Sequence, residues 1–452
     1  MSQNIRPDII IFLTDDHGPW AGNVFGTPEI RTLALDSLAA DGTLFKNAYT
    51  PCPVCSPARA SFWTGLYPSQ HGIHDWINEK QFDSRWMPDV PTLATLLQKS
   101  GYRTGFVGKW HCGQSWVKQP GFDFYVGENR DQYPHRGVCQ FVDNGEAVTY
   151  IGQRIDFITN RAIDFLRETK DNRPRFLFVG HVDTHSPFAD HPTHIVNHYV
   201  SKPVKSVPVE KYVGEAIKQP GSMPSQIEHE RRMSQYAAAV EVIDIHVGRI
   251  LDLIDAQKRR ADTCVVYTSD HGHMNGHHGL YYKGNATIPQ NFYDESIRVP
   301  SIVRYPKVAV AGAKRDEWIS HCDLFASLLD IARVPLPVLS EYPYAGVSIL
   351  PLLTGNHSSA WRDHAICEYG NARMIRTKQI KVIRRSKPHT GDEVYDLMLD
   401  PRETKNVREE QTLQGVINEA DVKLTHHFQT YAKPGANGFG QIKVHNGTEP
   451  WA

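Results

Sequence analysis

The stretch Cys52-Pro-Val-Cys55-Ser-Pro-Ala-Arg59-Ala-Ser-Phe-Trp-Thr64-Gly65 carries two kinds of possible chemistry in this 452-residue chain. Cys52 and Cys55 have the Cys-x-x-Cys spacing of a redox or zinc motif. Cys55-Ser-Pro-Ala-Arg59 instead sets one thiol just before a helix, with Pro57 suited to the first helical position, where its missing N–H costs nothing. Backbone N–H groups and the helix dipole favour an anion there. A zinc ribbon needs a second cysteine pair, and Cys112, Cys139, Cys264, Cys322 and Cys367 stand singly. The prolines also sit wrongly for a thioredoxin-like turn, so the nucleophile reading is the better one.

Four other polar clusters each close an apolar run. Asp8 to Leu13 ends in Asp15-Asp16, Tyr102 to Val107 in Gly108-Lys109-Trp110-His111, Phe176 to Val179 in His181-Val-Asp183-Thr-His185, and Thr263 to Thr268 in Ser269-Asp270-His271-Gly272. The runs are continuously apolar, as strands buried on both faces are. Helical spacing separates them at Thr32 to Ala40, Pro91 to Lys99, Gln153 to Thr169 and Met233 to Ile254. This alternation predicts a mostly parallel sheet between helices, and such sheets bind ligands beyond their carboxyl ends. Asp15, Asp16, Lys109, His111, His181, His185, Asp270 and His271 are therefore expected in one cleft. Asp15, Asp16 and Asp270 repel one another without a cation, and as hard oxygen donors they suit calcium or magnesium better than zinc.

Residues 1–360 read as one α/β unit, with helices at Asp323 to Ile331 and Leu350 to Leu353. Residues 361–452 read as a smaller α+β domain, with strands near Gln379 to Ile383 and Glu393 to Leu397 and a helix near Asp421 to Tyr431. The chain is 40% apolar and 22% charged with a formal charge of −1, enough for a large core and without the basic footprint of a nucleic-acid binder. No membrane span is apparent, and the first residues do not form a signal peptide. The expectation is a cytoplasmic protein with reduced thiols, or a periplasmic or secreted one if a leader has been removed.

Cys55-x-Pro-x-Arg59, followed by Ala60 to Gly65, Pro68, Gln70 and His71-Gly72, resembles the signature of the type I sulfatases. Asp15-Asp16, Gly108 to His111, His185 to Pro187, Ser269 to Gly272 and Lys283 fall where that family's motifs fall. Tyr395-Asp396-Leu397, Asp400-Pro401, Glu403 and Asn406 resemble its second domain. The resemblance implies an alkaline-phosphatase-like fold with a short antiparallel C-terminal sheet. It also implies that a formylglycine-generating enzyme converts Cys55 to formylglycine, whose hydrate is the nucleophile, oriented by Arg59. Asp15, Asp16, Asp270, His271 and the Cys55 position would hold the cation; His271 stands where many members have asparagine and others histidine. Lys109, His111, His185 and Lys283 would surround the anion. The His185 and Lys283 side would protonate the leaving group, and His111 would act on the hydrate.

The implied activity is hydrolysis of a sulfate ester, on a carbohydrate by family breadth, with a small-molecule or oligosaccharide partner. Phosphonate or phosphate ester hydrolysis is the alternative, and a non-catalytic binder of anionic glycans a third. His74, Asp75, Trp76, Arg130 in the Gly127 to Gly137 loop, and His181 are candidate substrate contacts; His181 reads equally as a strand cap. His273, His277 and His278 suggest either zinc or a substrate-facing loop, and the six tryptophans of the first 120 residues suggest sugar platforms.

Overall fold

The apolar run near the N-terminus forms β1 (Asp8–Thr14), wholly buried along its length. In the computed structural model, which describes residues 6–78, 87, 90–129, 135–168, 171–218, 225–355, 361–386 and 391–440, it is the strand around which the rest is laid. Following it are β2 (Thr43–Tyr49), β3 (Arg103–Gly108), β4 (Phe124–Glu128), β5 (Arg136–Asp143), β6 (Glu146–Gln153), β7 (Arg175–Gly180) and β8 (Ile217–Lys218). Then come β9 (Thr263–Ser269), β10 (Thr287–Ile288), β11 (Ser301–Arg304) and β12 (Ala313–Ser320). The last four are β13 (His364–Tyr369), β14 (Ala372–Thr377), β15 (Ile380–Arg385) and β16 (Glu393–Asp396).

Ten of these strands form one sheet in the order β12-β2-β11-β9-β1-β7-β3-β4-β5-β6. Its centre, β9-β1-β7-β3-β4, is parallel, and antiparallel pairings appear only toward the two wings. Strand alternation splits the core in two. Ile10 and Phe12 face the helices Leu33–Ala40, Arg154–Arg167 and Gln226–Ala256, whereas Ile9, Ile11 and Leu13 face Cys55–Thr64, Leu93–Lys99 and His321–Ile331.

Several boundaries differ from the sequence reading for physical reasons. The long helix begins at Gln226 because the Ser225 hydroxyl caps it, accepting from the Glu228 N–H at 3.3 Å. β4 runs into the Gly127 to Gly137 segment as far as Glu128 and β5 leaves it from Arg136, after which β5 and β6 extend the sheet as a hairpin. The last helix starts at Gln414 because its apolar stripe of Ile417, Leu424 and Phe428 begins about one turn before Asp421. The signature helix starts at Cys55 itself, which makes Pro57 the third helical residue; its nitrogen is still among those with no intrahelical acceptor.

β13 to β16 make a separate antiparallel sheet. Ile366, Ile375 and Val382 pack on the helix Gln414–Tyr431, while Cys367, Tyr369, Met374 and Ile383 pack toward Cys52 and Val54. An ion cluster seals this seam. Asp294 receives Lys381 Nζ at 2.8 Å and Arg376 Nη2 at 2.9 Å; Glu403 also pairs with Lys381 and accepts the Asp294 N–H at 2.8 Å. Burial would raise the Asp294 carboxyl, but Lys381 and Arg376 outweigh it and hold it well below the usual carboxylate range.

Asp294→Ala leaves the buried Lys381 ammonium with Glu403 alone and takes the carboxylate from Arg376, which should cost about 2 kcal/mol, read as a lower denaturant midpoint. Because the folded carboxyl is depressed, its contribution is complete above the unfolded pKa of about 4 and lost as the pH falls below it. The difference between wild type and variant should therefore shrink on acidification.

Candidate active site

Four strand ends and one helix start converge on Cys55. β3 and β7 approach closely there because Gly108 has no side chain: its φ is 109°, a Cβ would lie 2.0 Å from the Gly180 carbonyl oxygen, and the Lys109 N–H donates to that oxygen at 2.9 Å. Two non-glycine residues at strand ends, Asp16 (φ 59°) and His111 (φ 53°), adopt left-handed backbone geometry. Such strain is held in place by surrounding structure and turns a side chain away from the direction of its strand. On the facing side, Gly65 (φ 70°) ends the Cys55–Thr64 helix, its N–H donating to Ser61 at 2.9 Å.

Cys55 Sγ lies 3.0 Å from Lys283 Nζ, 3.3 Å from His271 Nε2 and 3.5 Å from Asp15 Oδ1. Arg59, one turn along the same helix, bridges Asp270 Oδ2 at 2.9 Å and Asp15 Oδ2 at 3.1 Å, and donates to the Lys109 carbonyl at 2.9 Å. Lys109 Nζ pairs with Asp15 Oδ2 at 2.7 Å, and Lys283 Nζ with Asp16 Oδ1 at 2.7 Å. All of these residues are buried. Ligand atoms of Asp15, Cys55, Asp270 and His271 lie within 4.8 Å of one another, as do those of Asp15, Asp16 and His185.

Electrostatics follow from burial and pairing. Desolvation opposes the charged forms of Asp15 and Asp16, yet Lys109 beside Asp15 and Lys283 beside Asp16 keep both carboxyls below their ordinary range. Asp270 goes the other way, raised by burial and by Asp15. Burial, reinforced by Asp15, pushes the Cys55 thiol up, so the unmodified side chain stays a thiol. Burial lowers the His185 imidazole to about 4, with Asp16 partly opposing.

The other sequence candidates divide. His111, at the end of β3, sets Nε2 on the Ile77 carbonyl at 3.0 Å, and His185 places Nε2 4.0 Å from Asp16 Oδ2. His181 does not join them. It is fully buried, stacks on Phe12 with centroids 6.2 Å apart, and belongs to the wall behind the strand ends. Asp75 is buried and accepts the Tyr369 hydroxyl at 2.5 Å; His74 Nε2 contacts the Ala436 carbonyl at 2.7 Å; Trp76 packs against the apolar cluster that includes Val54 and Tyr369. Those three tie the signature to the C-terminal sheet, with His74 and Trp76 only half-buried. Arg130 and Trp86 lie outside the described residues.

Trp63 and Trp110 are core, stacked among Phe106, Phe122 and Phe178 rather than offered to a sugar. The three histidines after Asp270 diverge. His278 meets Glu295 at 2.9 Å, His277 contacts the Met274 carbonyl at 2.6 Å, and His273 stacks on Tyr236 with Nδ1 3.8 Å from Asp16 Oδ2. Among the described residues no two of them share a group of possible metal ligands, so they do not form one zinc site. His273 is the neighbour of the site that sequence reasoning left unassigned, and its only signal was lying three residues after Asp270. Glu403 and Asn406, from the second-domain pattern, are structural: Asn406 Oδ1 accepts the Val394 N–H at 3.0 Å.

A Sulfatase family model matches residues 7–334, nearly three-quarters of the chain and every strand end just described. The chain belongs to the sulfatase family. This sulfatase is accordingly a sulfuric ester hydrolase. A second family model, described as N-sulphoglucosamine sulphohydrolase, C-terminal, matches residues 276–430. An N-acetylglucosamine-6-O-sulfatase of Bacteroides thetaiotaomicron is 26% identical over 89% of this chain and 82% of its own. A solved structure of a protein with its substrate D-glucosamine-2-N,6-O-disulfate superposes with a TM-score of 0.83 at 24% identity, covering 94% and 98% of the two chains. The phosphonate monoester hydrolase of Agrobacterium radiobacter superposes at 0.74 and 20%, covering 98% and 99%. The fold is thus the alkaline-phosphatase-like one that the sulfatase resemblance implied.

The donor set fits a divalent cation: three carboxylates crowd the site, and the buried Asp16 Oδ2 has no hydrogen-bond partner among the described residues. Calcium added to chelator-treated sulfatase should raise its melting temperature by several degrees through mass action. Asp15→Asn and Asp270→Asn should each abolish that shift.

Proposed function

We propose that this sulfatase hydrolyses a sulfate ester on a carbohydrate, using the formylglycine made from Cys55 and a calcium ion held by Asp15, Asp16, Asp270 and His271. The observation that carries the reading is the position of Cys55: a single atom at a buried helix start meets Lys283, His271 and Asp15 within 3.5 Å. No other cysteine among the described residues has such surroundings. When present, the cation would polarise the sulfate oxygens and the aldehyde hydrate would supply the attacking hydroxyl.

The chain's own residues account for the rest. Arg59 fixes the carboxylates Asp15 and Asp270 around the nucleophile position. Lys109 and Lys283 bring positive charge to where the sulfuryl group must pass. His111 uses Nε2 on Ile77, which leaves Nδ1 as the basic nitrogen of its neutral ring, suited to taking a proton from the hydrate. His185 holds Nδ1 on the Ser186 carbonyl at 2.7 Å and turns Nε2 toward the site. The negative charge of a bound sulfate ester raises that imidazole from its low value, so it arrives as the acid for the departing alcohol. Since Cys55 to Thr64 are all buried, a formylglycine-generating enzyme reaches Cys55 only before this helix packs.

The carbohydrate assignment draws on the relatives, among them the glucosamine-directed ones named above. A phosphonate monoester is the second reading, because it carries the same single negative charge as a sulfate monoester and a phosphonate hydrolase shares the fold. In matched assays, sulfated saccharides should be turned over at least about a hundredfold faster, by kcat/KM, than the corresponding phosphonate monoesters, a difference of about 2.7 kcal/mol. A reversed order would give the site to phosphonates. Peptide mass spectrometry of protein made with the maturation enzyme should find an aldehyde at Cys55; active protein with the thiol intact would refute the nucleophile.

A further inference from the structure

The loop that carries His185 is held from two sides. On one side it is stitched to the acidic pair: the Thr184 N–H donates to the Asp15 carbonyl at 2.9 Å, and the Thr184 hydroxyl to the Asp16 carbonyl at 2.8 Å. On the other side stands His135, from the start of β5. Its Nε2 lies 3.1 Å from the His185 carbonyl oxygen and its Nδ1 3.1 Å from Asp183 Oδ1. A carbonyl only accepts, so Nε2 carries a proton and donates it. One imidazole thus clamps both the carboxylate and the main chain of a three-residue segment.

This clamp is built, not incidental. His135 and Asp183 are each 2% exposed, and the Arg154 N–H fixes the His135 carbonyl at 2.8 Å. His191 packs on the His135 ring, centroids 5.5 Å apart, with Nδ1 3.9 Å from the same Asp183 oxygen. Burial alone would raise the Asp183 carboxyl; His135, then His191 and His181, hold it well below its ordinary range. A buried charge is costly, and Asp183 is not among the cation's donors, so its retention calls for a reason.

We propose that His135, paired with Asp183, is a positioning residue that holds His185 at the distance and angle needed to protonate the leaving group. The antiparallel β5–β6 extension then contributes to catalysis although it supplies no residue to the cleft floor. This rests on the assignment of His185 as the leaving-group acid. An acid matters little when the departing oxygen is already a good leaving group and a great deal when it is a poor one, so misplacing it has a graded signature that general loosening lacks.

The test is a series of aryl sulfates from 4-nitrophenyl to unsubstituted phenyl, extended to a sulfated saccharide, with melting temperature and its calcium shift measured alongside. His135→Ala should lower kcat about tenfold to a hundredfold on the poorest leaving groups and less than about threefold on 4-nitrophenyl sulfate, with KM within about twofold. His135→Gln, whose amide still donates to the His185 carbonyl, should recover most of the loss, and Asp183→Asn should fall between. If the alanine variant does not fold, the other two carry the comparison against wild type. An equal loss at every leaving group, or a glutamine variant no better than alanine, overturns the clamp. A flat series for His185→Ala overturns the acid assignment, and the clamp with it.

Discussion

A balance of buried charge sets the terms for the rest of this molecule. Asp15, Asp16 and Asp270 bring three carboxylates to a space closed from water, and Arg59, Lys109 and Lys283 bring three cations to meet them. The protein alone is therefore near neutrality at the site, and removing any one partner leaves an unpaired charge in a low-dielectric interior. Adding a dication leaves a surplus of two positive charges, which a singly charged ester and a deprotonating nucleophile neutralise.

The fold exists to make that crowding affordable. A parallel sheet delivers β1, β3, β7 and β9 with their carboxyl ends in register, and the polar residues after them have nowhere to point but the common edge. Close approach at Gly108 and Gly180 brings Lys109 near enough to Asp15 to offset the cost of burying it. The signature helix closes the opposite side, and the C-terminal sheet then packs against Cys52 and Val54 just ahead of Cys55. The small sheet thus buttresses the nucleophile's backbone, with Asp294, Lys381 and Glu403 sealing the seam.

Much of this was legible in the sequence because it is local. Unbroken apolar runs such as Asp8 to Leu13 mark strands buried on both faces, and the polar tetrapeptides after them mark the cleft. The signature residues fixed the rest of the site. What stayed hidden depends on tertiary contacts. β5 and β6 alternate only weakly, since both faces of their outer turns are exposed, so neither strand was read from the sequence. Trp63 and Trp110 have the composition of sugar platforms, and only packing on Phe178 and Phe106 shows them as core. His181 shares a strand end with His185, but its side chain turns into the wall against Phe12, a difference of direction that spacing does not reveal. Cys52 belongs to that same class: it lies in the apolar cluster beneath the signature, and its redox spacing with Cys55 is without chemical meaning.

The claim on which all of this turns is that the side chain at position 55 attacks sulfur and is then released because it is an aldehyde hydrate with a second hydroxyl to expel the sulfate. Cys55→Ser keeps one hydroxyl and removes the other, so it separates attack from release. Mixed with excess sulfated substrate, that variant should free one equivalent of alcohol per enzyme and stop, with the sulfuryl group found by mass spectrometry on the substituted side chain. Steady multiple turnover by the variant, or a burst with the sulfuryl group on another residue, would contradict the account.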